Sequence, residues 1–192
     1  MSSRWVVAVV LLAGCLLPTP PAPPRYFAPI LPPSNADGAP AAVDLASVRA
    51  PLHLREQIAW RRSDVEYGFY EQRRWTELPS TYVERALSRE LFGGGEPLLA
   101  TGSNLPVLRV EVRAFEEVLA PAHEARVAIA LELVDGGCVR LRRVVAASRP
   151  LDGDDPLAVV HGIGDALDDV AHAAGGAVRD ALSGRMRCAN TR

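Results

Sequence analysis

The sequence contains no lysine, because all 21 of its basic residues are arginine. A P-loop needs a lysine to contact the β- and γ-phosphates of a nucleotide, and a Schiff-base enzyme needs a lysine amine. Both mechanisms are therefore excluded. We attribute the absence to the codon usage of a GC-rich genome, since alanine, glycine and proline are abundant. The formal net charge is −2, so we expect no attraction of the whole protein to nucleic acid or to an acidic membrane.

Histidines, carboxylates and glycines also lack the spacings that metal sites, catalytic sites and phosphate-binding loops require. The four histidines have neither the i, i+4 spacing nor the Cys-x-x-Cys companion of a zinc site; they are His53, His123, His161 and His172. The acidic run at residues 152–155 is interpreted as the start of a helix, and Gly162-Ile163-Gly164 as a place of close packing. No G-x-S-x-G motif is present. We therefore predict no catalytic, cofactor or metal site, and a protein that is not an enzyme.

The apolar N-terminal run is too short to cross a bilayer, which takes about 20 residues. It extends for 13 residues from Trp5 to Leu17 and follows one cation, Arg4. This pattern is typical of a secretory signal peptide. Its end, Leu12-Ala13-Gly14-Cys15, resembles the lipobox of bacterial lipoproteins. The motif implies that residues 1–14 are removed, and that Cys15 carries a diacylglyceryl group whose acyl chains, such as palmitate, anchor the protein. The alternative is an unlipidated signal peptide that is cleaved elsewhere.

Proline dominates the segment after this cysteine, with eight prolines between residues 18 and 33. They remove backbone donors and favour an extended polyproline II conformation of about 3.1 Å per residue. Residues 15–25 are therefore predicted to be a lipidated tether that holds a domain roughly 30 Å from a membrane. The folded domain is predicted to cover residues 26–188.

Hydrophobic alternation predicts several strands in this domain. Val107–Phe115 and Arg126–Val134 alternate strictly, which predicts strands with one solvated face. Asp135-Gly136-Gly137 predicts a hairpin turn into a strand at Cys138–Ala147. Four further strands are predicted at Tyr26–Ile30, Ala42–Arg49, Gln57–Arg62 and Val65–Tyr70.

Two helices are predicted from capping signals and helical periodicity. Pro79-Ser80-Thr81 opens the first, with Thr81 and Glu84 at capping-box spacing, and the glycines from Gly93 onward end it. Asp155-Pro156 opens the second, which ends near Gly184 and is expected to be weakened by Gly175-Gly176. These elements predict an α+β fold: a two-layer sandwich of a largely antiparallel mixed sheet packed by two main helices.

Two aromatic and basic clusters are candidates for an interaction surface. They are Trp60-Arg61-Arg62 and Arg73-Arg74-Trp75. Arginines beside aromatic rings suit a phosphate head group, an acidic partner or single-stranded nucleic acid. Neighbouring residues of a strand point to opposite faces, however, so only part of each cluster can share a face. The interpretation we favour places the tryptophans in or beside the core and the arginines in a solvated rim. We expect no nucleic-acid partner for an exported lipoprotein.

The cysteine count fits an oxidising compartment. If Cys15 carries lipid, Cys138 and Cys188 remain as an even pair. We hypothesise that they form a disulfide between the start of a strand and the tail after the last helix.

Residues 43–92 resemble the core of the ABC-type transport auxiliary lipoprotein family, which includes the paraquat-inducible protein C lipoproteins. The residues that carry the resemblance are Leu52, Ile58, Tyr67, Trp75 and Pro79. The next strand of the family, with an aromatic after it, resembles Val110-Glu111-Val112 to Phe115. The element order is similar over nearly all of residues 1–184. The long proline-rich linker and one extra residue between Trp75 and Pro79 depart from the family pattern.

The resemblance implies an accessory subunit without catalysis, cofactor or metal. In such systems an ATPase and a permease lie at the inner membrane, and an MCE-domain protein bridges the periplasm. The lipoprotein then meets that bridge to support lipid transport. Leu16, rather than aspartate, follows the lipidated cysteine, which implies the outer membrane of a Gram-negative envelope.

Several alternatives stay open. Homo-oligomer formation is one of them. A different class of protein is another: an assembly lipoprotein of an outer-membrane machine, either a secretion pilot or a lipopolysaccharide-assembly factor. The third is a periplasmic enzyme, which requires dispersed histidine and aspartate residues to meet in a pocket.

Overall fold

Seven strands and two helices form the part of the chain that the computed structural model describes, residues 22–31, 40–93 and 104–184. The first strands are short. In chain order the elements are β1 Arg25–Phe27, β2 Asp44–Leu45, β3 Gln57–Arg61, β4 Tyr67–Trp75, α1 Pro79–Phe92, β5 Val107–Val118, β6 Glu124–Asp135, β7 Cys138–Pro150 and α2 Pro156–Ser183.

The strands form one mixed sheet in the order β1-β4-β3-β5-β6-β7, with β2 beside the start of β5. The pairs β3/β4, β5/β6 and β6/β7 are antiparallel, whereas β1/β4, β2/β5 and β3/β5 are parallel. The longest ladders are the antiparallel ones, because hairpin turns connect those strands directly. The predicted α+β sandwich, with a largely antiparallel mixed sheet and two packing helices, is confirmed.

Alternation in β5 and β6 separates a buried face from a polar one. Leu108, Val110 and Val112 are buried, and they share one core cluster with the apolar residues of both helices. Burial of this apolar surface is the main stabilising term of the fold. The opposite side of the sheet, where neither α1 nor α2 packs, is called the open face. It carries the side chains of Arg109, Glu111, Arg126, Glu132, Arg142 and Val144.

Helix α1 begins at Pro79 and ends where Gly93 adopts a left-handed φ of 66°. The predicted capping box of Thr81 and Glu84 is wrong. The N-cap is Leu78, which has no side-chain cap, because Pro79 fixes the helical φ two residues before Thr81. The hydroxyl of Tyr82 instead accepts a hydrogen bond from the Glu77 N–H at 3.2 Å.

Helix α2 matches its predicted start, since the Asp155 carboxylate accepts a hydrogen bond from the Leu157 N–H at 3.0 Å. The expected weak point at Gly175-Gly176 does not interrupt the helix, which continues to Ser183. The interpretation of Gly162 and Gly164 as close packing is confirmed. A Cβ at Gly162 would lie 2.9 Å from the Ala125 Cβ, and a Cβ at Gly164 would lie 2.6 Å from the Ile30 carbonyl oxygen.

Strand bounds differ from the predictions where polar residues hide the pattern. The strand predicted at Ala42–Arg49 is reduced to Asp44–Leu45 and an isolated bridge between Arg49 and Glu111. The predicted Tyr26–Ile30 is Arg25–Phe27 in the structure. The strand predicted to end at Tyr70 continues to Trp75, because its last residues pair with β1.

Candidate functional site

The first predicted arginine cluster lies at the β3/β4 hairpin. Arg61 projects on the open face, where its Nε donates to Glu116 at 2.8 Å. Arg62 is exposed and lies 3.6 Å from the carboxylate of Glu66, with its guanidinium 5.7 Å from the centre of the Trp60 ring. Trp60 is only partly buried, so it lies at the edge of the core.

The second cluster lies near the other end of β4. The Arg73 guanidinium stacks 4.1 Å from the centre of the Tyr70 ring and 4.0 Å from the Glu117 carboxylate. Arg74 lies 3.6 Å from the carboxylate of Glu56. Trp75 is in the core.

The structure does not combine the four predicted arginines into one patch. Arg61 and Arg73 contact Glu116 and Glu117, which are neighbours in β5 and therefore point to opposite faces of the sheet. Each of the four arginines also has a carboxylate within 4.0 Å. A role in binding stays a hypothesis for these residues.

A buried carboxylate network that sequence reasoning missed lies at the end of β5. Glu117 contacts His123 Nε2 at 2.7 Å and is buried. Burial first, and then the interaction with the nearby Glu117 carboxylate, raise the pKa of Tyr70 to about 12. A register shift between β3 and β4 brings Tyr70 and Arg73 to this carboxylate. Two adjacent glutamates, which break the alternation of polar and apolar residues in β5, were the available signal.

This network has the groups for proton transfer, yet neither of the two cavities described below is lined by Glu117 or His123. The described residues contain no cluster of three histidine, cysteine, aspartate or glutamate side chains that could hold a metal ion. Because His123, Arg73 and Tyr70 surround the buried Glu117 carboxylate, the arrangement fits a structural role at the end of the sheet.

A cavity of about 350 Å³ opens on the open face, beside the start of β5. We call it the arginine groove. Its charged lining consists of Arg49, Arg109, Arg113, Arg142, Glu111 and Glu132. The polar side of β5 was predicted to be solvated, but the pairing of this strand with Arg49 and Arg142 is not visible in the sequence.

A model of the family described as "ABC-type transport auxiliary lipoprotein component" matches residues 28–174, which is most of the chain. The chain belongs to this family. The resemblance inferred from the residues around Leu52 to Pro79 is thereby confirmed. No protein of curated function matches the sequence.

Solved structures share the fold of this auxiliary lipoprotein. Protein XCC0632 from Xanthomonas campestris, a DUF330 protein, has a TM-score of 0.69 and 20% identity, over 83% of this chain and all of that one. A second crystal structure, of an uncharacterized protein, has a TM-score of 0.55 and 17% identity, over 84% of this chain and all of that one. At these identities the likeness concerns the fold alone.

Membership makes the protein a component of ABC-type transport and indicates a location in the bacterial cell envelope. The family is one of transport auxiliary lipoproteins, not of enzymes. No helix in residues 22–31, 40–93 and 104–184 is long and apolar enough to cross a membrane.

The residues that carry the family resemblance divide into core and surface. Ile58, Trp75 and Pro79 are buried. Tyr67 is on the open face, where its ring lies 5.6 Å from the Arg61 guanidinium. Leu52 is 82% exposed and lines a second cavity, of about 540 Å³.

The three cysteines lie partly outside the described residues. Cys138, at the start of β7, is disulfide-bonded. Its pairing with Cys188 stays a prediction, because Cys188 and Cys15 both lie outside the residues that the structure describes. The predicted signal peptide and most of the predicted tether lie there too.

Proposed function

We propose that this auxiliary lipoprotein is the membrane-anchored, periplasmic subunit of an MCE-type ABC transporter, and that it supports lipid transport by docking onto the MCE-domain subunit. The observation that carries the proposal is the open face. Neither α1 nor α2 covers it, and it presents the exposed side chains of Tyr67, Val144 and several arginines. A sheet face of this kind suits protein docking, since tyrosine and arginine side chains are enriched in protein interfaces.

The anchor in this proposal is a lipid on Cys15, with residues 15–25 as the tether. Two or three acyl chains hold a protein stably on a membrane, whereas one chain does so only marginally. Leu16 after the cysteine supports the outer membrane as the location. A Cys15→Ser variant is expected to move from the membrane to the soluble fraction. A Thr19→Ala variant, changed within the tether, must remain with the membrane; retention of Cys15→Ser there would refute the anchor.

Docking is tested by photo-crosslinking in cells that contain the whole transporter. A photoreactive residue at position 144 replaces Val144 on the open face, where this side chain is 64% exposed. The matched control replaces Leu157, which is 48% exposed in the first turn of α2. We expect position 144 to crosslink to the MCE-domain subunit, and position 157 not to do so.

Two outcomes would overturn the proposal. Equal crosslinking from both positions would show that the open face is not the docking surface. Capture of a secretin or an outer-membrane β-barrel, with no MCE-domain subunit or permease, would favour the assembly lipoprotein instead. Neighbouring genes for a permease, an ATPase and an MCE-domain protein would support the proposal independently.

A further inference from the structure

We propose that the arginine groove binds the phosphate group of a small phosphate ester, either a lipid head group or a free phosphoryl compound. The inference goes beyond docking, because it concerns a ligand site within the open face. It depends on the geometry of the groove and on no partner protein.

One row of the groove crosses three strands. Arg109, Glu132 and Arg142 are directly opposite one another in β5, β6 and β7. The Glu132 carboxylate accepts from Arg142 at 2.6 Å and from Arg109 at 3.4 Å. These two guanidinium groups, Arg142 first, hold the pKa of Glu132 below its usual value. The ionised carboxylate therefore keeps two arginines side by side across the sheet.

Most of the donors in this row remain available. A guanidinium group has five N–H donors, and each of the two arginines uses one of them on Glu132. Both arginine side chains are more than half exposed. Planar forks of N–H donors match the oxygens of a phosphate, which makes arginine suited to this anion.

The second row adds positive charge. Arg113 lies 2.9 Å from the Glu111 carboxylate. Arg49 is fixed next to Glu111 by its backbone, which donates to the Val110 carbonyl at 3.0 Å and accepts from the Val112 N–H at 2.8 Å. Within the described residues, the Arg49 side chain has no carboxylate within 4.0 Å. Four arginines against two glutamates leave the groove with a formal charge of +2, which complements a phosphate monoester.

The floor of the groove limits the size of the ligand. Ala130 continues the second row across β6, opposite Glu111 in β5 and Val144 in β7, and its small methyl group leaves a depression beside the first row. The volume of about 350 Å³ is at the lower end of small-molecule sites. A compact anion therefore fits better than an extended acidic peptide.

The test is calorimetric titration of the purified full-length protein in a nonionic detergent. The probes are inorganic phosphate, glycerol 3-phosphate, dihexanoyl phosphatidic acid and, as an uncharged control, glycerol. We expect saturable binding of at least one phosphate probe and none of glycerol. Arg49→Ala and Arg142→Ala should each weaken it at least about tenfold, the loss typical of one charge-assisted hydrogen bond.

Two further variants distinguish binding at the groove from a general effect of positive charge, and a folding measurement excludes misfolding as the cause of a loss. Arg142→Lys keeps the charge but loses the fork, so its loss should be smaller than that of Arg142→Ala. Arg85→Ala removes an exposed arginine of α1 that pairs with Glu77, and it should bind like the unchanged protein. Thermal melting of each variant establishes that it is folded.

The probes distinguish the source of the phosphate. Binding of dihexanoyl phosphatidic acid alone supports a lipid head group, whereas equal binding of glycerol 3-phosphate supports a free phosphoryl compound. Absence of saturable binding, or binding unchanged in both alanine variants, would overturn the proposal. Tighter binding of polyglutamate through the same arginines would also overturn it, in favour of an acidic protein. No transporter subunit is present, so a failure here is distinguishable from a failure of docking.

Discussion

The guanidinium of Arg61 donates two hydrogen bonds to the carboxylate of Glu116, from Nε at 2.8 Å and from Nη2 at 3.2 Å. The pair joins the parallel strands β3 and β5 on the open face. Glu116 is 2% exposed and also accepts from Arg126 at 2.5 Å. Hydrogen bonding to Glu116 raises the pKa of Arg61 above its usual value. A residue predicted to belong to an interaction surface thus compensates a buried charge of its own chain.

We expect Arg61→Ala to lower the free energy of unfolding by about 2–3 kcal/mol, because it leaves a buried carboxylate with fewer donors. A double-mutant cycle with Glu116→Gln should give a coupling of about 1–2 kcal/mol. The adjacent pair Arg62 and Glu66, in which both side chains are more than half exposed, is the matched control and should couple by less than about 0.5 kcal/mol. Urea denaturation measures all of these values, and equal coupling in the two cycles would contradict the expectation.

Two glycines of α2 should respond to alanine in opposite directions. A Cβ at Gly164 would lie 2.6 Å from the backbone oxygen of Ile30, whereas nothing lies within 4 Å of one at Gly176. Gly164→Ala is expected to cost about 1–3 kcal/mol by overpacking, although alanine favours the helix. Gly176→Ala should stabilise by about 0.5–1 kcal/mol through helix propensity. Thermal denaturation tests the pair, and a stabilised Gly164→Ala would show that Ile30 does not pack on α2.

The local hydrophobic pattern was sufficient to predict β5, β6, β7 and both helices, because each of these elements has one apolar face that must be buried. It was insufficient for the end of β4. Residues 71–74 are polar, and their strand conformation depends on pairing with β1, more than 40 residues away in the sequence. The capping box failed for a local reason, since Pro79 had already determined where the helix begins.

The candidate sites depended even more on nonlocal pairing. Arg109 and Arg113 are exposed and belong to the polar side of Val107–Phe115, which was correctly predicted to be solvated. Their meeting with Arg49 and Arg142 follows from the register of β5 with β6, of β6 with β7, and from one isolated bridge. Register is determined by the whole buried face of a sheet, so no single segment of sequence contains it. The same holds for Tyr70 and Glu117, which a register shift brings together.

Two of the residues that carry the family resemblance should differ strongly in their contribution to stability, because one is buried and the other is exposed. The Trp75 ring is edge-on to Phe115 at 5.3 Å and to Tyr82 at 6.2 Å, and it is almost fully buried. Trp75→Ala is expected to cost about 3–5 kcal/mol, since it leaves a large cavity. Leu52→Ala should change stability by less than about 0.5 kcal/mol, because Leu52 is exposed. Chemical denaturation compares them; a large cost at Leu52 would mean that its side chain is covered in solution.

The raised pKa of Tyr70 gives a stability change at alkaline pH. Burial comes first and the interaction with Glu117 second among the causes that raise this pKa to about 12, whereas an unfolded chain ionises tyrosine near pH 10. The contribution of Tyr70 to the free energy of unfolding is therefore complete below about pH 10 and is lost as the pH rises toward about 12.

Tyrosinate absorbance and denaturation between about pH 9 and pH 12 measure this effect. Tyr70→Phe should abolish the late ionisation step and flatten the loss of stability in that interval. Tyr26→Phe, at an exposed position in β1, should leave the late step in place. An unchanged alkaline profile in Tyr70→Phe would contradict the prediction, because it would show that ionisation of Tyr70 does not cause the loss of stability.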